Sequence, residues 1–201
     1  MAKIVTVDEL KQLADAARNE LFEQARQMGR DPKIYLHWTA GRYEADFDDY
    51  HVCIHGNGKI MLMADLTETL AHTWRRNSGA IGVALDCAYN ATSDDLGDYA
   101  PTAVQIETLA QVAAALADGL WLTIDKPHVM THGEAADNED GIACHEPYGP
   151  RTTCERWDLE YLGHALRVRP LILGRRTAAV AATCCAARLT GTGTWKNAIQ
   201  I

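Results

Sequence analysis

Apolar residues recur at helical spacing from Leu10 through Leu13, Ala14, Ala17, Leu21 and Ala25, and the run stops at Gly29 and Pro32. Thr6 and Glu9 precede it as a T-x-x-E capping box, so the pattern predicts an amphipathic helix with a defined start. The period then changes. KIYLHW, residues 33–38, reads as an extended apolar segment ending at a turn-like Thr39-Ala40-Gly41. Residues 50–63, YHVCIHGNGKIMLM, read as a hairpin whose β-branched and apolar residues flank Gly56-Asn57-Gly58. IGVALDC, residues 81–87, is a continuous apolar strand candidate.

A second capped helix is predicted from Pro101-Thr102, with Gln105 three residues after Thr102, through Ile106, Leu109, Ala113 and Leu116 to a close near Gly119. HVMTH, residues 128–132, reads as a short strand that delivers polar residues at its end. Residues 137–150 form a polar loop with Gly and Pro, and residues 157–166 read as a helix. Strands alternating with long helices predict an α/β fold, a mixed central sheet flanked by helices. The expected organisation is an N-terminal helix (residues 1–32) packed on a body (residues 33–166), followed by a cationic segment of small residues (167–201). No internal repeat is apparent.

Charge sharpens this division. The chain of 201 residues carries a net charge of −8, which argues against sequence-independent nucleic-acid binding. All acidic residues lie at or before Glu160, whereas Arg167, Arg169, Arg175, Arg176, Arg188 and Lys196 make the end purely basic. Such a segment could pack on the body, contact a membrane or envelope surface, or stay poorly ordered. No apolar run is long enough to span a bilayer. The N-terminus lacks an apolar signal core, so the expectation is a protein made in the cytoplasm, and a monomer. The six cysteines show no CxxC pair, and reduced thiols are expected for most, with metal ligation the main exception.

Three residues could build a metal centre. His37 ends an apolar strand before a small-residue turn, His132 ends another strand before Gly133-Glu134, and Cys154 lies in TTCERWD. Two imidazoles and a thiolate leave a fourth tetrahedral position open, as in catalytic zinc. Taken singly, His37 reads more readily as a strand histidine satisfied in the core, and Cys154 as a plain thiol.

The order of motifs alters that balance. LHWTAG, YHVCI with its G-N-G turn, AHTWRRNSGAIGVAL, THGEA and TTCERWD together resemble the zinc-dependent N-acetylmuramoyl-L-alanine amidase family, which includes phage lysins and peptidoglycan recognition proteins. The resemblance runs from about residue 34 to 162. It implies His37 and His132 as ligands of Zn2+ and peptidoglycan as the partner. The third ligand is implied to be Cys154, three residues before Trp157-Asp158, with Asp158 as the alternative. Cys144 and His145 are further candidates without support from the motif order.

The same resemblance assigns assisting groups. Tyr50 is implied to orient water or stabilise an oxyanion, and Thr152 stands where phage lysins usually carry a lysine. Thr152 can donate one hydrogen bond but brings no charge, so Arg151 or Arg156 are candidates to supplement it. Glu134 could serve as a base or support a ligand, and His72 and Asn77 fall where family members line the substrate groove. Against each stands an ordinary structural role. Strand alternation places His51 on the side opposite Tyr50, as a structural residue. The implied reaction is hydrolysis of the amide between the glycan lactyl group and L-alanine. A phage-type endolysin acting on the wall after release competes with a secreted antibacterial amidase, a wall-recycling enzyme and a non-catalytic recognition module.

Overall fold

The computed structural model describes residues 2–91 and 96–136. Its elements in chain order are β1 (Lys3–Ile4), α1 (Val7–Gln27), β2 (Lys33–Trp38), β3 (Val52–Ile54), β4 (Ile60–Leu62), β5 (Ala80–Leu85), α2 (Ala103–Leu120), β6 (Val129–Thr131) and α3 (His132–Ala136). The six strands form one sheet in the order β1-β4-β3-β5-β2-β6. β3, β5, β2 and β6 run parallel, while β4 and β1 extend the β3 side antiparallel. The predicted mixed sheet with helices is therefore present. β1 has only two residues, both exposed, and was not foreseen because no alternation can register over that length.

Both capping boxes form. At α1, the Glu9 amide donates to Thr6 Oγ1 (3.1 Å) and the Thr6 amide to Glu9 Oε2 (2.7 Å). Leu10, Ala14, Ala17, Leu21 and Ala25 are its buried stripe, and Gly29 follows with φ +72°. At α2, Thr102 and Gln105 satisfy each other in the same way. α2 closes at Leu120, near Gly119 as expected, and Gly119 has a second job. It lies inside α2, where a Cβ would come 2.6 Å from the Lys11 carbonyl oxygen and 2.7 Å from Ala14 Cβ, so it lets the two helices touch. Trp121 takes the left-handed cap, with φ 58°.

The two sheet faces differ in chemistry. Ile34, Leu36, Trp38, Val52, Ile54, Ile81, Val83 and Leu85 join Leu10, Leu21, Leu109 and Leu116 in the main core. With alternation, Tyr35, His37, Cys53 and Ala84 fall on the other face, where they belong to separate buried clusters or polar contacts. Gln105 joins the two features. Its buried side-chain amide donates to the Ile54 carbonyl (2.9 Å) and the Asp86 carbonyl (3.0 Å), fastening the start of α2 to the ends of β3 and β5.

Replacing Gln105 with Leu takes a partner from the Asp86 carbonyl and from the half-buried Thr102 amide, while the Ile54 carbonyl still accepts from the Asp86 amide (2.9 Å). Each buried unsatisfied group costs about 1–3 kcal/mol, so the expected loss is about 3 kcal/mol. Urea unfolding measures it, and an unchanged midpoint would show that the bolt is not needed.

Candidate functional site

His37 is the penultimate residue of β2, a strand buried along its whole length. β2 pairs with β6 so that Leu36 lies opposite Thr131, which brings the next residues, His37 and His132, level at the loop edge. The two Nδ1 atoms are 3.2 Å apart and the ring centroids 4.8 Å. His37 is fully buried and His132 is 3% exposed. Sequence placed both at strand ends; His132 is also the first residue of α3.

The turn carrying His132 is fixed by Glu134. The Thr131 amide donates to Glu134 Oε2 (2.9 Å), and the Glu134 amide donates to Thr131 Oγ1 (3.1 Å). This reciprocal pair satisfies two amides at the start of a short helix. Lys126 Nζ stands 3.7 Å from the other carboxylate oxygen. Glu134 thus holds the backbone that delivers His132, and these contacts leave its carboxylate engaged with the chain.

Behind His37 lies a stack of rings. Tyr50 is 2% exposed, with its ring centroid 5.0 Å from that of His37. His72 lies 5.3 Å from His37 and 5.6 Å from His51. It is buried, at 5% exposure, beneath the histidine pair. Only glycine fits opposite: a Cβ at Gly82 would stand 2.7 Å from His72 Cγ. Asn77 closes the turn around His72, its side-chain oxygen accepting from the Thr73 amide at 2.7 Å.

His51 corrects the alternation argument. Tyr50 precedes β3, where strand geometry does not yet apply, and both rings join the same histidine cluster. Its structural reading fits its bonds: His51 Nδ1 accepts from the Gly82 amide (3.0 Å), so Nε2 carries the proton toward the Glu68 carbonyl (2.8 Å). Burial, partly offset by the Glu68 carbonyl, holds the His51 pKa down. Burial first, then the neighbouring His37, His51 and His132, push His72 well below the ordinary histidine range.

Thr73, which lies in the AHTWRRN motif but was assigned no role there, sits between two of these rings. Its hydroxyl is 2.9 Å from His72 Nδ1 and 3.5 Å from His37 Nε2. A hydroxyl accepts and donates at once. With His37 donating from Nε2, the Nδ1 lone pair of His37 turns toward His132. Thr152, Cys154, Asp158, Arg151, Arg156, Cys144 and His145 lie outside the described residues, as do the loop at 137–150, the helix at 157–166 and the cationic segment.

A second polar cluster was missed. His55 Nε2 stands 2.7 Å from Asp46 Oδ1 and 3.4 Å from Asp86 Oδ2. The residues come from a loop and two strand ends, so only the sheet register unites them. Near it an open cleft of about 680 Å³ is lined by Arg42, Tyr43, Glu44, Gly56, Asn57 and Tyr99.

Parallel strand ends that converge on a crevice are where α/β sheets bind ligands, and here that edge carries paired imidazoles. The family model described as N-acetylmuramoyl-L-alanine amidase matches residues 14–157, and the chain belongs to this family. Membership supports an amidase that hydrolyses peptidoglycan. No curated protein and no solved structure matches the chain. Among the described residues, no helix is long and apolar enough to cross a membrane.

Asp86 gives a pH test. Burial first, and then the Asp46 charge, raise its carboxyl to about 8. A raised acid stabilises the fold below its unfolded pKa of ~3.9, and that stability is lost as pH rises toward 8. In chelator, wild type should therefore weaken relative to Asp86→Asn between pH 4 and 8. A pH-independent difference in urea midpoints would refute the shift.

Proposed function

We propose that the chain is a zinc-dependent N-acetylmuramoyl-L-alanine amidase of the phage-endolysin type, with His37, His132 and Cys154 as metal ligands. The observation that carries this reading is the 3.2 Å separation of two buried Nδ1 atoms. Two nitrogens bound to one tetrahedral zinc at 2.0–2.1 Å stand about 3.3 Å apart, so the pair fits without rearrangement. Without metal, one Nδ1 must donate its proton to the other. Cys154, from a segment outside the described residues, supplies the thiolate in this proposal.

A zinc ion held by His37, His132 and Cys154 would supply Lewis acidity toward the amide carbonyl and would lower the pKa of a water toward neutrality. The residues around it do the positioning. Thr73 fixes the His37 tautomer, Glu134 fixes the turn under His132, and His72 with Asn77 keeps that wall in place. Tyr50 is the group beside His37 suited to donate to a developing oxyanion, with Thr152 assisting. The scissile bond is the amide between the lactyl group of the glycan and L-alanine. In the endolysin reading the protein is made in the cytoplasm and reaches the wall after release, and its basic end favours an anionic envelope.

His37→Ala and His132→Ala should lose bound zinc and reduce hydrolysis to background, read by metal analysis and by mass spectrometry of new L-alanine amino termini. Cys154→Ser should lose zinc while Asp158→Asn keeps it. Tyr50→Phe should keep zinc and lower kcat about 100-fold. A His37→Ala protein with full lytic activity would sink the assignment.

Thr73→Val tests the tautomer lock separately. Removing such an outer partner costs about 10–100-fold in metal affinity, and competition against a chelator reads it. Unchanged affinity would leave Thr73 with a packing role only.

A further inference from the structure

We propose that Asp46, His55 and Asp86 form a second divalent-cation site, one pleat beyond the histidine pair on the same sheet face. Ala84 of β5 is level with both His37 and Cys53. Asp86 and His55 each lie two residues further along, so alternation keeps them on that face, ~7 Å nearer the loop edge. Asp46 reaches them from the loop between β2 and β3.

The donor atoms converge. One imidazole nitrogen and one oxygen from each carboxylate all lie within 4.8 Å of one another. The separations are 2.7 Å for His55 Nε2 to Asp46 Oδ1 and 3.4 Å for His55 Nε2 to Asp86 Oδ2. Donors bound at ~2.1 Å to a common tetrahedral or octahedral ion stand about 3.0–3.4 Å apart on adjacent positions. Small movements therefore suffice.

An independent observation points to a ligand. Asp86 is fully buried, yet among the described residues neither of its carboxylate oxygens has a hydrogen-bond partner. Its close polar neighbours are His55 and the Cys53 thiol. Orphaned buried carboxylate oxygens are rare and call for an explanation such as an ion. A proton on His55 Nε2 can serve one carboxylate, and Asp46 is the nearer. A cation would instead engage both, leaving Nδ1 as the protonated nitrogen of the ring.

Mixed imidazole and carboxylate donors suit a first-row divalent ion such as Zn2+ or Mn2+ better than Ca2+ or Mg2+, which prefer oxygen alone. The half-exposed Asp46 side chain opens the site to solvent. Asp46 adjoins Ala45 and His55 adjoins Gly56, both of which line the cleft. A bound ion would pin that loop to the strand ends and set the shape of the cleft. The proposal does not depend on the first site being loaded.

The full chain, stripped by chelator and titrated with Zn2+ or Mn2+, should bind two ions, measured by calorimetry and elemental analysis. His37→Ala should bind one, and so should Asp86→Asn, while the double variant binds none. Where Asp86→Asn does not fold, Asp46→Asn replaces it, with at least a ten-fold weaker second affinity expected. In His37→Ala, Zn2+ or Mn2+ should still raise Tm, and an equal concentration of Mg2+ should not. One ion in wild type, or two retained in both aspartate variants, would overturn the proposal. If His37→Ala keeps both ions while the aspartate variants lose one, the second site stands and the first assignment fails.

Discussion

The parallel pairing of β2 between β5 and β6 is the constraint on which the site depends. It sets Leu36 opposite Thr131 and His37 opposite Ala84. A one-residue slip would exchange the faces of β2, sending His37 into the apolar core and Leu36 into the polar cluster. Because β2 is buried on both sides, the register is enforced twice: by Ile34, Leu36 and Trp38 in the helix-covered core, and by Tyr35 and His37 opposite.

Much of this scaffold was legible because it is local. KIYLHW became β2 end to end, the glycine turn joined β3 and β4, and both T-x-x-E/Q boxes opened helices. These signals need only a few neighbouring residues. The proximity of His37 and His132, 95 positions apart, could be reached only through motif order. His51 escaped the alternation rule because its neighbour Tyr50 lies before the strand. Gly119 marked the close of α2 in sequence, but its close approach to α1 did not show there. The Asp46–His55–Asp86 cluster had no sequence signature, since its members meet only after three segments find their register.

Burial explains how the polar face is tolerated. Several of its ring nitrogens pair with the chain: His51 bridges Gly82 and Glu68, and Thr73 bridges His72 and His37, whereas His72 Nε2 has no partner among the described residues. The Gly82 amide and the Glu68 carbonyl set the His51 tautomer, and the Thr73 hydroxyl couples the proton positions of His72 and His37. The assignment of proton positions at His37 is therefore a property of the whole face, reached through residues that never meet substrate.

The Gln105 bolt has a consequence for variation. By gripping the ends of β3 and β5, it makes the tips of those strands and the start of α2 one rigid piece. Of the connections that leave this piece, the stretch at residues 42–45 lines the open cleft and precedes Asp46, Tyr50 and His51, which belong to the polar face. An engineer retargeting this enzyme to another wall chemistry has a natural place to vary there, with the histidine wall left in its frame.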